Sequence, residues 1–200
     1  MKKPFYLSLD IDFWNRVPAE TVVEYLDAVT KYAQDKGIRV RGYMNHHHML
    51  DAVSKCPVKV LVNVDEHSDL SDTDCNELNC GTWVGYVPWR KKGTYIWYHS
   101  LSANTGDCTG GAGIPIFGCN EVRLRANLSD WKKIKHQRVI NANFNPVIFM
   151  ENCIEVGICM SPYYANVYLH PVFHTWRKKH HIPYKWGRKE ENQAVQKKPS

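Results

Sequence analysis

Three short segments near the start of the chain carry residue types whose spacing could do chemistry. They are Ser8-Leu9-Asp10-Ile11-Asp12-Phe13, Asn45-His46-His47-His48 and Asp65-Glu66-His67-Ser68-Asp69. Between them stand the carboxylates of Asp10, Asp12, Asp65 and Asp69, the imidazole of His67 and the triplet His46, His47 and His48. A pair of divalent first-row ions held through oxygen and nitrogen needs about that set. The chemistry would be two-ion hydrolysis, with ions about 3.5 Å apart that make water a nucleophile near neutral pH.

Asp10 and Asp12 are two residues apart, so on an extended strand both project from one face. Two carboxylates on one face repel unless a cation lies between them or one is protonated. The plainer reading of that pair is a strand end capping a helix. Asp65, His67 and Asp69 repeat at the same spacing with three ligands, which is the more specific pattern. The plainer reading there is a polar loop with an aspartate N-cap. The three histidines cannot all face one site, and residue types alone leave the choice among them open.

Each segment needs an element to deliver it. Phe5 to Asp12 reads as a buried strand, Ile38 to Tyr43 as a second, and Val58 to Val64, apolar and β-branched, as a third. Pro18 to Lys36 reads as an amphipathic helix, with Val22, Val23, Leu26, Val29, Tyr32 and Ala33 near a 3.6-residue repeat and Gly37 beyond its end. His46 to Ser54 reads as a short helix. The order strand, helix, strand, helix, strand predicts an α/β fold: three layers, with a mostly parallel sheet flanked by helices. Ligands in such sheets sit beyond the carboxyl ends of the strands, which is where the three segments fall. Further strands are expected at Thr94 to His99, Arg138 to Ala142 and Ile154 to Met160. Helix is expected from Pro162 onward, interrupted at Pro171. Ser100 to Gly118, rich in Gly, Ser, Asn and Thr, reads as a long loop of the kind that is usually functional or mobile.

The chain has 200 residues, which fits one domain over residues 1–186 and a basic, disordered tail over 187–200. It lacks an apolar run of about 18 residues, and Met1-Lys2-Lys3-Pro4-Phe5 lacks the pattern of a secretion signal, so no membrane association and a cytoplasmic location are expected. The seven cysteines form no CxxC pair, and their odd number fits a reducing compartment. Cys75 and Cys80 with Cys108 and Cys119 make a poorly spaced zinc set. The net charge of +6 is concentrated at Arg177-Lys178-Lys179-His180-His181 and from Lys185 to Lys198. Nucleic-acid binding is not expected, because no known binding module accompanies that charge, whereas a basic surface would attract an acidic peptide.

The DxHxD and DxD motifs with a separate histidine look like the metal set of the arginase and agmatinase ureohydrolases. More closely, Asp65 to Leu70, followed by Asn76-Glu77-Leu78, Trp83 and Tyr95-Ile96-Trp97-Tyr98-His99, is similar to the UPF0489 family, as are Asp10-Ile11-Asp12-Phe13-Trp14 and Gly157-Ile158-Cys159-Met160-Ser161-Pro162. That family includes the peptide arginases, which convert arginine side chains of ribosomally made precursor peptides to ornithine. In arginases the order is histidine, DxHxD, DxD. Here DxD comes first, a cyclic rotation that implies an arginase-like sheet with permuted strand order.

The resemblance implies a binuclear Mn²⁺ site. Its metal ligands would be Asp10, Asp12, His46, Asp65, His67 and Asp69, with His46 preferred over His47 by its place after the strand. Asp10 and Asp65 would bridge, His46 and Asp69 would complete one ion, and His67 and Asp12 the other. The catalytic set would be Asp65, His67, Glu77 and His99, with Glu77 and Asn79 binding substrate. Glu77 would pair with the guanidinium, since a planar cation suits a bidentate carboxylate, and His99 would move a proton. The implied partner is an arginine-containing peptide, which would leave with ornithine in place and urea released. Two alternatives stand beside this one. The first is a hydrolase of another guanidino or amide bond, agmatinase- or deacetylase-like. The second is a non-catalytic, metal-containing peptide-binding module.

Overall fold

The computed structural model of the chain describes residues 3–69, 78–89, 92–100, 134–139 and 144–185. Its elements are β1 (Phe5–Asp10), α1 (Ala19–Asp35), β2 (Arg39–Tyr43), α2 (Leu50–Lys55), β3 (Val60–Val64), β4 (Thr94–Ser100), β5 (Ile134–Val139), β6 (Cys153–Cys159), α3 (Leu169–Lys179) and β7 (Tyr184–Lys185). The strands form one seven-stranded sheet in the order β5-β4-β3-β1-β6-β2-β7. Every pairing in it is parallel. The α/β class, the parallel sheet and the flanking helices agree with the sequence reading.

β1 lies at the centre, and all six of its residues are buried. Such burial on both faces is why its sequence is nearly continuous apolar rather than alternating. The pleat still sorts its side chains. Phe5, Leu7 and Leu9 enter the core beneath α1 and α3, with Val62, Val64, Val156 and Ile158 from the neighbouring strands. Tyr6 faces the opposite side, where Tyr43, Met49, Leu61, Trp83, Tyr95 and Trp97 make a second core under α2. Ser8 and Asp10 share that second face.

α1 buries Val22, Leu26, Val29 and Ala33 along one stripe, which is the 3.6-residue pattern read from the sequence. It ends where Gly37 takes φ 66°. The Gly37 amide donates to Gln34 O at 3.1 Å and the Ile38 amide to Ala33 O at 2.8 Å, the paired bonds of a Schellman ending. α3 packs beside α1. Trp176 Nε1 donates to Thr30 Oγ1 at 2.8 Å, and Lys179 Nζ and His180 Nε2 each meet Asp27 at 2.6 Å.

Several boundaries differ from expectation. β1 stops at Asp10, and Ile11–Trp14 is a 3-10 turn. The short helix expected from His46 is a 3-10 turn, His46–Met49, running into α2. β5 lies at Ile134–Val139 rather than from Arg138 onward. Residues 162–168 are turns, and the helix begins only at Leu169. Pro171 therefore sits in the first turn, where its missing N–H would have no helical partner anyway, and it interrupts nothing. β7 has only two residues, too few to leave a periodic trace. Ser100, the expected start of a loop, is the last residue of β4, and the rest of that loop to Gly118 and the tail over 187–200 lie outside the described residues.

Candidate metal centre

The carboxyl ends of β1 and β3 lie side by side, with Ser8 opposite Asn63 and Leu9 opposite Val64. β2 lies one strand away, beyond β6. From these ends come Asp10, Asp12, His46, Asp65 and Asp69, all buried, with exposures of 2%, 0%, 1%, 1% and 4%.

Asp12 does not reach the site by strand alternation. The chain bends after Asp10, whose Oδ1 accepts the Asp12 amide at 3.1 Å and so caps the 3-10 turn. The same device recurs after β3, where Asp65 Oδ1 accepts the His67 amide at 2.8 Å. Asp69 follows with φ 52°, a left-handed conformation that aspartate tolerates better than most residues. In both segments the expected extended spacing is replaced by a tight bend, because the first aspartate of each folds its chain back on itself.

Three carboxylates converge on one nitrogen. His46 Nδ1 lies 3.2 Å from Asp10 Oδ2, 3.0 Å from Asp65 Oδ2 and 2.7 Å from Asp69 Oδ2. The other ring nitrogen, Nε2, meets Ser8 Oγ at 2.5 Å. A proton on Nε2 would donate to Ser8 and leave the Nδ1 lone pair for a cation, the usual division of labour in a ligating histidine. Of the triplet, His46 is the one inside the cluster. His47 stacks edge-on with His48, with ring centres 4.3 Å apart, and its Nδ1 meets Cys80 Sγ at 3.5 Å.

A second group adjoins the first. His67 Nδ1 lies 3.0 Å from Asp12 Oδ2 and 3.6 Å from Asp65 Oδ1. Two sets of ligand atoms therefore come close enough to hold a metal ion: Asp10, His46 and Asp65, and Asp12, Asp65 and His67. Asp65 belongs to both, one oxygen facing each group. Asp10 is in the first group alone, so of the two aspartates that the sequence reading named as bridges only Asp65 is common to both groups.

Burial works against charge on His46, but Asp69, Asp10 and Asp65 reverse this and push its pKa well above the ordinary value. His67 is likewise raised: burial opposes, and Asp12 and Asp65 outweigh it. Burial also raises Asp12 well above the carboxylate range, with Asp10 and Asp65 adding to the shift. Asp69 is pushed up to about 7 by burial and by Asp65. Asp65 alone is held low, against burial, by hydrogen bonds from His46 and His67. Among the described residues, Asp12 Oδ1 is buried with no hydrogen-bond partner. A divalent cation would satisfy that oxygen and relieve the repulsion among four buried carboxylates. The donor set of oxygens and imidazole nitrogens thus fits a metal ion.

The sequence reading assigns the supporting residues no role at the site, although Trp83 and Ser161 stand within the motifs that carry the resemblance. Ser161, after β6 and at φ 43°, donates its hydroxyl to Asp10 Oδ2 in a short hydrogen bond. Trp83 Nε1 donates to Asp69 Oδ2 at 2.5 Å. Asn63 Nδ2 donates to Asp65 Oδ2 at 3.1 Å. These residues are common core and turn types, and only the strand register brings them to the ligands.

Among the described residues, none of the remaining candidates belongs to either group. His99 is on β4, one strand beyond β3, buried with its ring 4.6 Å from Trp97. Asn79 shapes a turn, its Oδ1 accepting the Gly81 amide at 2.9 Å. Glu77 lies outside the described residues, as do Cys75, Cys108 and Cys119. Cys56, Cys80, Cys153 and Cys159 are free thiols. Among the described residues no helix is long and apolar enough to cross a membrane.

Comparison with family models, with curated proteins and with solved structures returned no match. Fold and site together define a parallel-sheet α/β protein with a buried Asp/His cluster that could hold a metal ion.

Proposed function

We propose that the chain is a manganese-dependent hydrolase that converts arginine side chains of a peptide to ornithine and releases urea. The observation that carries the metal-hydrolase part is the sharing of Asp65 between two buried Asp/His groups at the carboxyl edge of a parallel sheet. The guanidino substrate rests on the motif resemblance to the peptide arginases.

Asp10, His46, Asp65 and Asp69 would hold one ion, and Asp12, Asp65 and His67 the other. Two such ions supply an activated water and stabilise developing negative charge. The oxygen-rich set suits Mn²⁺ among available ions. The protein's own residues fix that arrangement. Ser8 orients the His46 ring, Ser161 and Asn63 orient Asp10 and Asp65, and Trp83 anchors Asp69. Burial keeps bulk water from competing for the carboxylates. Glu77 would receive the guanidinium.

The test is mass spectrometry of an arginine-containing peptide incubated with the protein and Mn²⁺, beside an Asp65→Ala variant. The expected result is a loss of about 42 Da per arginine, absent in the variant, as two-ion hydrolysis requires. An unchanged peptide mass with Mn²⁺ bound at two per chain would rule out the guanidino substrate and leave the metal site standing.

A further inference from the structure

The turn that follows β6 forms a rim beside the metal cluster. It carries large side chains that the core does not use: Tyr163, Tyr164, Val167 and Tyr168 are 72%, 49%, 80% and 39% exposed. One of them touches the site. The Tyr164 ring lies 5.0 Å, centre to centre, from the His67 ring. The ring itself is half in solvent.

This rim is held rigidly. The Tyr164 and Ala165 amides both donate to Ser161 O at 2.9 Å. Asn15, in the loop that follows the Asp12 turn, clasps it from the other side. Its Nδ2 donates to Tyr164 O at 3.0 Å and its Oδ1 accepts the Asn166 amide at 2.7 Å. Its carbonyl accepts from Asn166 Nδ2 at 2.6 Å and from the Tyr168 hydroxyl at 2.7 Å. Four hydrogen bonds at one residue tie the rim to the strand that supplies Asp10 and Asp12. An exposed aromatic side chain on an immobilised backbone costs little further entropy when a ligand settles on it.

We infer that Tyr164 is a substrate-binding residue whose ring takes the planar cationic side chain of the peptide at the mouth of the metal cluster. The inference rests on the guanidino reading given above. A guanidinium is weakly hydrated and stacks on aromatic faces. Asn15 acts through Tyr164 as a positioning residue.

The experiment uses the full chain, a synthetic peptide with a single arginine, and its twin with citrulline in that place, which keeps the shape and removes the charge. Affinities are measured without added metal, so that no turnover occurs. Steady-state kinetics are measured on the arginine peptide with Mn²⁺. Tyr164→Leu keeps apolar bulk and loses the ring face, and Tyr164→Phe keeps the ring.

Tyr164→Leu is expected to weaken arginine-peptide binding and raise KM by about tenfold with kcat within threefold, while Tyr164→Phe stays near wild type. The citrulline peptide should not distinguish the variants. Unchanged affinity and KM in Tyr164→Leu, or equal losses for the two peptides, would overturn the inference. Should the wild type leave the arginine peptide unhydrolysed, the proposed reaction fails, and the binding arm still decides: charge-dependent loss in Tyr164→Leu supports the assignment, and its absence refutes it.

Discussion

The two faces of the sheet are built from the same strands and do opposite things. On one, Phe5, Leu7 and Leu9 of β1 meet α1 and α3 in an apolar core. On the other, the alternate residues Tyr6, Ser8 and Asp10 run from core to carboxylate within one strand. The helical face is stable because it excludes water. The opposite face keeps four acids out of water at its carboxyl edge, which is costly unless positive charge joins them. One side of the pleat supplies stability and the other draws on it.

The difference can be broken most completely at Asp65. Asp65→Ala removes the ligand common to both groups, and Mn²⁺ binding by calorimetry is expected to vanish. Wild-type protein with Mn²⁺ at a hundredfold excess over Kd should gain about 2.7 kcal/mol against unfolding, and the variant should gain nothing. Retained binding of one ion would show that the groups do not depend on a shared ligand.

Leu26→Ala probes the other face. Leu26 is fully buried on α1, and its truncation should cost about 3 kcal/mol in urea unfolding. Mn²⁺ affinity should not move, because the cavity opens on the far side of the sheet. A parallel fall in affinity would mean that the two faces are energetically one.

Ser161→Gly sharpens the account of the site itself. Glycine relieves the left-handed backbone at φ 43° while removing the hydroxyl that Asp10 accepts. Affinity for Mn²⁺ should fall about tenfold, the scale of an outer-sphere partner, with stability changing little. An unchanged affinity would reduce Ser161 to a turn former.

The smallest effect lies on the helical side. Burial pushes Asp27 up, but hydrogen bonds from Lys179 and His180 outweigh it and hold its carboxyl below the usual range. A depressed carboxylate adds stability that is complete above the ordinary pKa, near 4, and is lost as pH falls through the folded value. Asp27→Asn should therefore cost about 0.5 kcal/mol at neutral pH, and the gap to wild type should close in acid. A gap that persists at low pH would trace the loss to packing instead of charge.

The first half of the chain was legible because its signals are local. β1, α1, β2 and β3 announce themselves by apolar runs, a 3.6-residue stripe and Gly37. Asp10, Asp12, His46, Asp65, His67 and Asp69 do meet at one sheet edge. The contacts that support them were not legible. Ser161 reaches Asp10 only because β6 enters between β1 and β2 and sets Cys159 beside Asp10. Nothing in the sequence near Ser161 encodes that register. The extended spacing assumed for both acidic segments failed because Asp10 and Asp65 each accept an amide two residues on, a local hydrogen bond that competes with strand geometry.

The place of β6 also sets an order of events. Tyr6 pairs with Glu155 and Val40 with Val156, so the middle of the sheet cannot close until the chain has been made through β6. A nascent polypeptide emerging from the ribosome carries β1, β2 and β3 with a gap where the sixth strand belongs. Pairings of that sequence separation are slow to form and leave strand edges bare while they wait. Gly157 makes the last insertion exacting, since a Cβ there would lie 2.6 Å from the Tyr6 hydroxyl and 2.8 Å from Met49 Sδ. Synthesis from the amino end thus delivers the acidic residues before their closing strand, and the Asp/His cluster is complete only once β6 has been made.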